Sequence, residues 1–227
     1  MNSLRWKARS TYKDPDPIPR GRIKAVVTLL PIGAETPRSL VLDPPLTDAE
    51  FEALCAANDL ISFERTREGE ILMHSPTGGF TSRGNAGIAG QLYSWWKTHQ
   101  RGMLFDSNGG FFLPDSSMLN PDAAYVLPDK LIGLTRDDLT GFPYLCPDFV
   151  VELLSISDSL SKAQQKMERW IENGVSLGWL IDPYEKKVYV YEAGAETAAL
   201  TGNTLPGRGP VEGFTLDLDE LWRCYEI

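Results

Sequence analysis

The sequence predicts an α+β domain in which a central sheet is flanked by helices. Strand-like apolar runs alternate along the chain with helical segments that carry a single apolar stripe. The run 149–154 is apolar on both of its faces, which predicts a central strand in a sheet covered on both sides. With 227 residues, 42% of them hydrophobic, the chain is long enough for one sizeable core.

Caps, turns and apolar spacing in the sequence indicate where the helices and strands begin and end. Thr47-Asp48-Ala49-Glu50 is a capping box, and it predicts a helix over about 48–58. The turn Arg67-Glu68-Gly69 predicts a hairpin, and apolar spacing predicts a long helix over 82–99. Ser157-Asp158 is suited to cap the next helix, which is expected to end at Gly174. The remaining predicted strands cover 60–64, 70–74, 103–106, 110–113, a run from Asp122, 149–154, 177–181 and 187–191.

Three segments are expected along the chain. Residues 1–45 are predicted to form a basic, proline-containing N-terminal extension, either a poorly ordered tail or an arm that touches nucleic acid or a partner. Residues 46–195 are predicted to form the core domain. Residues 196–227 are predicted to be a largely irregular tail on that core, with one helical turn near 218–222.

Composition narrows the class of protein. No apolar run approaches the roughly 18 residues of a membrane span, and the polar N-terminus does not resemble a secretory signal. Cys55, Cys146 and Cys224 form no Cys-x-x-Cys pair, so we expect a cytoplasmic protein without a disulfide framework. His74 and His99 are the only histidines, which disfavours a histidine-built zinc site.

The net charge of −9 counts against a nucleic-acid partner, because phosphate binding usually requires a basic surface. An acidic total nevertheless leaves room for a local basic groove. Carboxylates that hold metal ions also make the formal charge overstate the repulsion.

Two Pro-Asp dipeptides open strand-like runs, and the second run contains an acid at its centre. Asp122 begins one run, whereas Glu152 lies inside the other with Val150 and Leu154 on its face. A buried carboxylate is costly unless a metal ion, a lysine or a proton compensates it. The second dipeptide's own acid, Asp148, is interpreted as a strand starter, since Glu152 already supplies that strand with a carboxylate.

If the two strands are neighbours, Asp122 and Glu152 can share a Mg²⁺ ion, which prefers oxygen ligands. Lys166 lies on the following helix beside the predicted core positions Ala163 and Met167, so its ammonium could reach the site. The alternative is that Asp122 only starts a strand and that Lys166 is solvated.

Four segments carry a resemblance to a known family: 68–79, 120–126, 146–155 and 166–183. They resemble the Uma2 family, which is placed in the PD-(D/E)xK nuclease superfamily, over roughly residues 47–193. The resemblance implies a restriction-endonuclease-like fold, with a mixed central sheet flanked by helices. It also implies that Asp122 and Glu152 bind Mg²⁺ or Mn²⁺ and that Lys166 assists catalysis.

One departure from the superfamily pattern is visible. Leu154 stands where the superfamily usually has a lysine, and Lys166 matches a lysine that family members commonly carry on the following helix. Glu70 matches a recurrent Gly-Glu of the family, as an added ligand or as a hairpin residue. Asn85 lies where a polar side chain could point into the site.

The resemblance implies an endonuclease that hydrolyses DNA through a metal-activated water. We expect a homodimer, because cutting a duplex needs two sites or two cuts. Trp95, Trp96 or the final hairpin could supply the dimer interface. A second hypothesis is a catalytically inactive binding protein on the same fold, associated with a mobile element or a defence system. A third hypothesis is a hydrolase that uses Ser75 or Ser155 with His74. It is disfavoured because Ser75 lacks the sequence context of a nucleophile elbow and because adjacent residues in a strand point to opposite faces.

Overall fold

The computed structural model describes residues 39–58, 60–74 and 76–227. Most of the predicted N-terminal extension therefore lies outside the described residues. Within the described residues, the α-helices are α1 (Asp48–Ala56), α2 (Gly79–His99), α3 (Pro128–Leu131), α4 (Leu160–Glu172) and α5 (Leu218–Arg223). The first seven strands are β1 (Ser39–Leu40), β2 (Ser62–Arg65), β3 (Ile71–His74), β4 (Met103–Phe105), β5 (Phe111–Phe112), β6 (Met118–Leu119) and β7 (Ala123–Val126). The others are β8 (Phe149–Leu153), β9 (Leu177–Asp182), β10 (Lys187–Glu192), β11 (Ala198–Leu200), β12 (Thr204–Pro206) and β13 (Thr215–Asp217).

The larger sheet is mixed and has six strands in the order β11-β10-β9-β8-β7-β4. Its strands β8 and β9 are parallel and are connected through α4, whereas the other neighbours are antiparallel. Strand β8 is buried along its whole length, as its apolar sequence predicts. Val150 and Leu154 pack towards α4, while Phe149, Val151 and Leu153 pack on the other face.

A second sheet has five strands in the order β1-β3-β2-β6-β5. Residues 39 and 40, which the sequence assigns to the extension, pair here with Leu72 and Ile71. The buried Arg65 fastens this sheet to α1, because its guanidinium lies over the ring of Phe51 and pairs with Asp48. Residues 120–122 then connect β6 of this sheet to β7 of the larger one.

Three local predictions differ from the structure. Helix α2 begins at Gly79 rather than at 82, with Gly78 as its N-cap. The prediction that Ser157-Asp158 caps α4 was wrong: the N-cap is Ser159, and Asp158 instead accepts a hydrogen bond from the Ser155 amide. The segment beyond 195 is not largely irregular, because it contains β11, β12 and β13 and buries apolar side chains against the larger sheet.

Helix α2 lies close to the larger sheet at Gly84. A Cβ atom at this position would stand 2.7 Å from Leu153 Cδ2 and 2.6 Å from the Tyr225 hydroxyl. We expect Gly84→Ala to lower the free energy of unfolding by about 1–3 kcal/mol through overpacking. Gly90→Ala, on the same helix, meets nothing within 4 Å and is expected to stabilise by about 1 kcal/mol. Urea unfolding of both variants measures the contrast, and equal stabilisation would contradict this account of the contact.

Candidate active site

The acid–lysine cluster, defined as Glu64, Asp122, Glu152 and Lys166, lies where the two sheets meet. Glu64 comes from β2 of the smaller sheet, and Glu152 comes from the central strand of the larger one. Asp122 immediately precedes β7, which pairs with β8, so the two predicted strands are indeed neighbours. Lys166 reaches the cluster from α4, the helix that crosses from β8 to β9.

Lys166 is the centre of the cluster. Its ammonium lies 2.8 Å from Glu64 Oε1, and 2.8 and 2.9 Å from the two carboxylate oxygens of Glu152. It also donates a 2.7 Å hydrogen bond to the main-chain oxygen of Asn120. Burial alone would lower the pKa of Lys166, but the two carboxylates outweigh that effect and raise it. The lysine is therefore a permanent cation.

Two side chains on α4 donate hydrogen bonds to Glu152. Besides Lys166, the indole of Trp170 donates to Glu152 Oε1 at 2.8 Å. Burial raises the pKa of Glu152 to about 8, because the attraction of Lys166 offsets only part of the desolvation and the nearby carboxylates of Asp122 and Glu64 oppose a further charge. A substantial fraction of this carboxyl therefore keeps its proton near neutral pH.

Glu64 is a member of the cluster that the sequence analysis missed. Its Oε1 accepts a 3.0 Å hydrogen bond from the Asn120 amide, and its Oε2 lies 3.3 Å from His74 Nε2. Burial opposes the charge of Glu64, but Lys166 and His74 outweigh it and lower the pKa to about 2. The two buried glutamates thus differ: Glu64 is the firm counterion of Lys166, and Glu152 is the one that exchanges a proton.

Asp122 is oriented by two donors and remains partly accessible. The Leu153 amide donates to Asp122 Oδ2 at 2.7 Å, and the Asn85 side-chain amide donates to Oδ1 at 2.7 Å. Burial raises the pKa of Asp122, against the effect of these hydrogen bonds and of Lys166. Asn85 therefore does reach the site, from the second turn of α2.

The donor set fits a hard divalent cation. Mg²⁺ usually takes one or two carboxylates and completes its shell with water and substrate oxygens. Asp122 and Glu152 supply two carboxylates. Both oxygens of Asp122 and Oε2 of Glu152 accept one hydrogen bond each and have a further lone pair. The side-chain oxygens of Asn85 and Asn120 are buried without a hydrogen-bond partner, as acceptors that await a bound group would be. Over the described ranges, however, no three His, Cys, Asp or Glu side chains form a group arranged to hold a metal ion.

The other predicted or considered residues lie elsewhere. Glu70 stands at the end of the β2–β3 hairpin, where its main chain pairs with Thr66, and the described contacts do not join its side chain to Asp122 or Glu152. Asp148 accepts from the Leu127 amide and pairs with Lys130, which is a structural role. The hydroxyl of Ser155 contacts Ser157, not His74, and Ser75 lies outside the described residues.

The fold is of the restriction-endonuclease-like class, a mixed sheet flanked by helices, and Glu152 lies on its central strand. A family model described as "Uma2: Putative restriction endonuclease" matches residues 48–219. The chain therefore belongs to the Uma2 family, and this membership supports a nuclease-like function.

A solved structure agrees with this class. It is the crystal structure of "a putative nuclease belonging to DUF820 from Anabaena variabilis ATCC 29413", which is 21% identical to this chain with a TM-score of 0.61. The similarity covers 72% of this chain and 90% of that one, and it shows a shared fold. No curated protein matches the chain. In the described part of the chain, no helix is long and apolar enough to cross a membrane.

Proposed function

We propose that this protein is a divalent-metal-dependent endonuclease that hydrolyses phosphodiester bonds of DNA. One observation carries the proposal: in a family with nuclease-like function, Asp122, Glu152 and Lys166 meet on neighbouring elements. Asp122 and Glu152 would hold Mg²⁺ or Mn²⁺. When bound, the metal supplies a Lewis acid for the scissile phosphate and a water of lowered pKa.

The chain's own residues have distinct tasks in this proposal. Asn85 and the Leu153 amide fix the direction of Asp122, and Trp170 fixes Glu152. Glu152 must release its proton before it can act as a ligand, so its raised pKa makes metal loading dependent on pH. Lys166 places a positive charge beside Glu64 and Glu152, where it can orient a water or stabilise charge on the phosphate.

A homodimer remains part of the proposal, because cutting both strands of a duplex requires two sites or two cuts. The tryptophans considered for its interface are half-buried and pack against the chain's own core. The ring of Trp95 contacts those of Tyr125 and Phe214, and the Trp96 indole donates to the Gly102 main-chain oxygen. The final hairpin is also covered on one side, since β11 pairs with β10.

We expect Asp122→Asn to abolish metal-dependent plasmid nicking and to weaken Mg²⁺ binding, because it removes one of two carboxylate ligands. A loss larger than the roughly 10- to 100-fold produced by an outer-shell change is expected. Nicking assays and calorimetric titration with Mg²⁺ or Mn²⁺ measure the two effects. Asp129→Asn, an exposed change of the same type, is the matched control. Wild-type protein that neither binds metal at millimolar concentrations nor nicks DNA would refute the proposal.

A second candidate function rests on the position of Lys166. Its ammonium balances the charge of Glu64 and binds Glu152, whose raised pKa lets it keep a proton, so the cluster is self-sufficient as a structural unit without any metal. A catalytically inactive nucleic-acid-binding protein, associated with a mobile element or a defence system, would need no more than this. DNA binding that is indifferent to metal, together with the absence of nicking, would select it.

A further inference from the structure

We infer that the surface beside the acid–lysine cluster binds unpaired nucleotides by base stacking, so that the substrate is a single-stranded or locally unpaired segment of nucleic acid. This inference rests on the proposed function for its catalytic meaning, and its binding claim is tested separately. The surface, here called the aromatic edge, consists of Phe80, Tyr184 and Tyr225 with the neighbouring cations Arg83 and Lys186.

The three rings come from different parts of the chain and meet in one cluster. Phe80 and Tyr225 are stacked, with centroids 6.1 Å apart and planes at 18°. Tyr184 packs edge-on against Tyr225 at 5.7 Å and 78°. Phe80 and Tyr184 remain 41% and 45% exposed. Large rings with this much exposure, arranged around a central ring, offer faces to a planar ligand.

The aromatic edge adjoins the site. Tyr184 follows β9, whose Ile181 pairs with Leu153, and the Leu153 amide binds Asp122. The Tyr184 amide donates to the buried Asp182 side chain at 3.0 Å, which fixes the turn that presents the ring. On the opposite side, the Tyr225 hydroxyl reaches Gly84, the neighbour of Asn85, whose amide also holds Asp122. The contacts of Tyr184 and those of Tyr225 therefore both lead to the Asp122 carboxylate.

Two exposed cations flank the rings. Arg83 donates to the main-chain oxygen of Glu226 at 3.3 Å, and Lys186 lies 3.4 Å from the Glu226 carboxylate. They supply local positive charge on a chain of net charge −9. Glu226 and Glu185 lie among them and reduce that charge. Phosphate contacts alone would therefore bind weakly here, and stacking must supply most of the affinity.

Exposed rings with little net positive charge around them favour a ligand whose bases are unpaired. Every base has a face that can stack on an aromatic ring, but in a duplex those faces are covered by neighbouring base pairs. Duplex binding depends mainly on phosphate neutralisation, which this surface provides poorly because Glu226 and Glu185 lie beside its cations. Helix α2 also begins beside Phe80, with Gly78 as an N-cap that has no side chain, and such a terminus accommodates a phosphate of the bound strand.

The test is fluorescence anisotropy with a labelled oligothymidylate and a labelled duplex of equal length, in EDTA so that neither metal nor cleavage contributes. We expect wild type to prefer the single strand. Phe80→Ala and Tyr184→Ala should each weaken single-strand binding by about 10-fold or more. Both residues are exposed, and circular dichroism checks that the variants fold. The matched control is Tyr93→Ala, since Tyr93 is 54% exposed on the same helix and roughly 20 Å along it from Phe80.

The outcomes separate this inference from the proposed function. Three results would each overturn the inference, even if nicking is observed. They are unchanged single-strand binding in both ring variants, equal losses for single strand and duplex, and no single-strand binding by wild type. Ring-dependent single-strand binding supports it, even if wild type never cleaves. A shallow dependence of this binding on salt is also expected, whereas a steep one would show that phosphates dominate and would contradict the stacking argument.

Discussion

Glu152→Gln is expected to flatten the pH dependence of stability and to stabilise the metal-free protein at pH 9. The pKa of Glu152 is raised to about 8 in the folded state, above its usual value of 4.5. The folded protein therefore holds a proton that the unfolded chain releases, and stability falls as pH rises from about 4.5 to 8. Removing this carboxylate should recover roughly 2–4 kcal/mol at pH 9 and little at pH 4.

Urea unfolding between pH 4 and 9 measures this effect, and the exposed Glu168→Gln on α4 serves as the charge-matched control. Mg²⁺ should stabilise wild type most at the alkaline end, because metal and proton compete for Glu152. The same addition should leave Glu152→Gln nearly unchanged. The free energy of unfolding could instead rise from pH 5 to pH 9 at the same rate in wild type and in Glu152→Gln. That result would show that Glu152 is ionised throughout this range.

Lys166→Met is expected to cost about 3–5 kcal/mol of stability at pH 8, because it leaves two buried glutamates without their shared counterion. The cost should be smaller at pH 5, where the carboxyls can take up protons. Adding Glu64→Gln should restore part of the loss, since one uncompensated charge then disappears. Lys162→Met, an exposed position one turn earlier on α4, is expected to change little.

Thermal or urea unfolding at the two pH values measures these differences. Equal and small losses in Lys166→Met and Lys162→Met would mean that Lys166 is a solvated residue with no part in the cluster. A large loss that does not depend on pH would point instead to lost packing of the lysine stem. Nicking should disappear in Lys166→Met at pH 8, and circular dichroism at the same pH separates this loss from unfolding.

Local patterns predicted β4, β7, β8, β9 and β10 of the larger sheet, because these strands depend on short-range signals. The two-sided apolar run 149–154 indicated the central strand, and helical spacing indicated α2 and α4. The small strands β11 to β13 were missed, since they have only three residues each, which is too few to show a period-two pattern. Their pairing depends on tertiary packing, which overrides weak local preference.

The site was only partly predictable for a related reason. Asp122, Glu152 and Lys166 lie within the larger sheet or its crossover helix, where spacing along the chain restricts their positions. Glu64 lies in the other sheet, 88 residues before Glu152, and no spacing rule connects the two. A signal did exist, since in a short strand Glu64 faces the side opposite to Phe63 and Arg65. Its burial depends on how the two sheets meet.

The link 120–122 between the sheets has a consequence for how the molecule opens. Within this link Asn120 binds Glu64 through its amide and Lys166 through its carbonyl, while Asp122 takes the amide of Leu153. Separation of the two sheets would therefore break the charge cluster in the same event. Hydrogen exchange at the Asn120 and Leu153 amides should therefore follow a single opening reaction. The lifetime of the contact between the two sheets sets how long the site stays assembled.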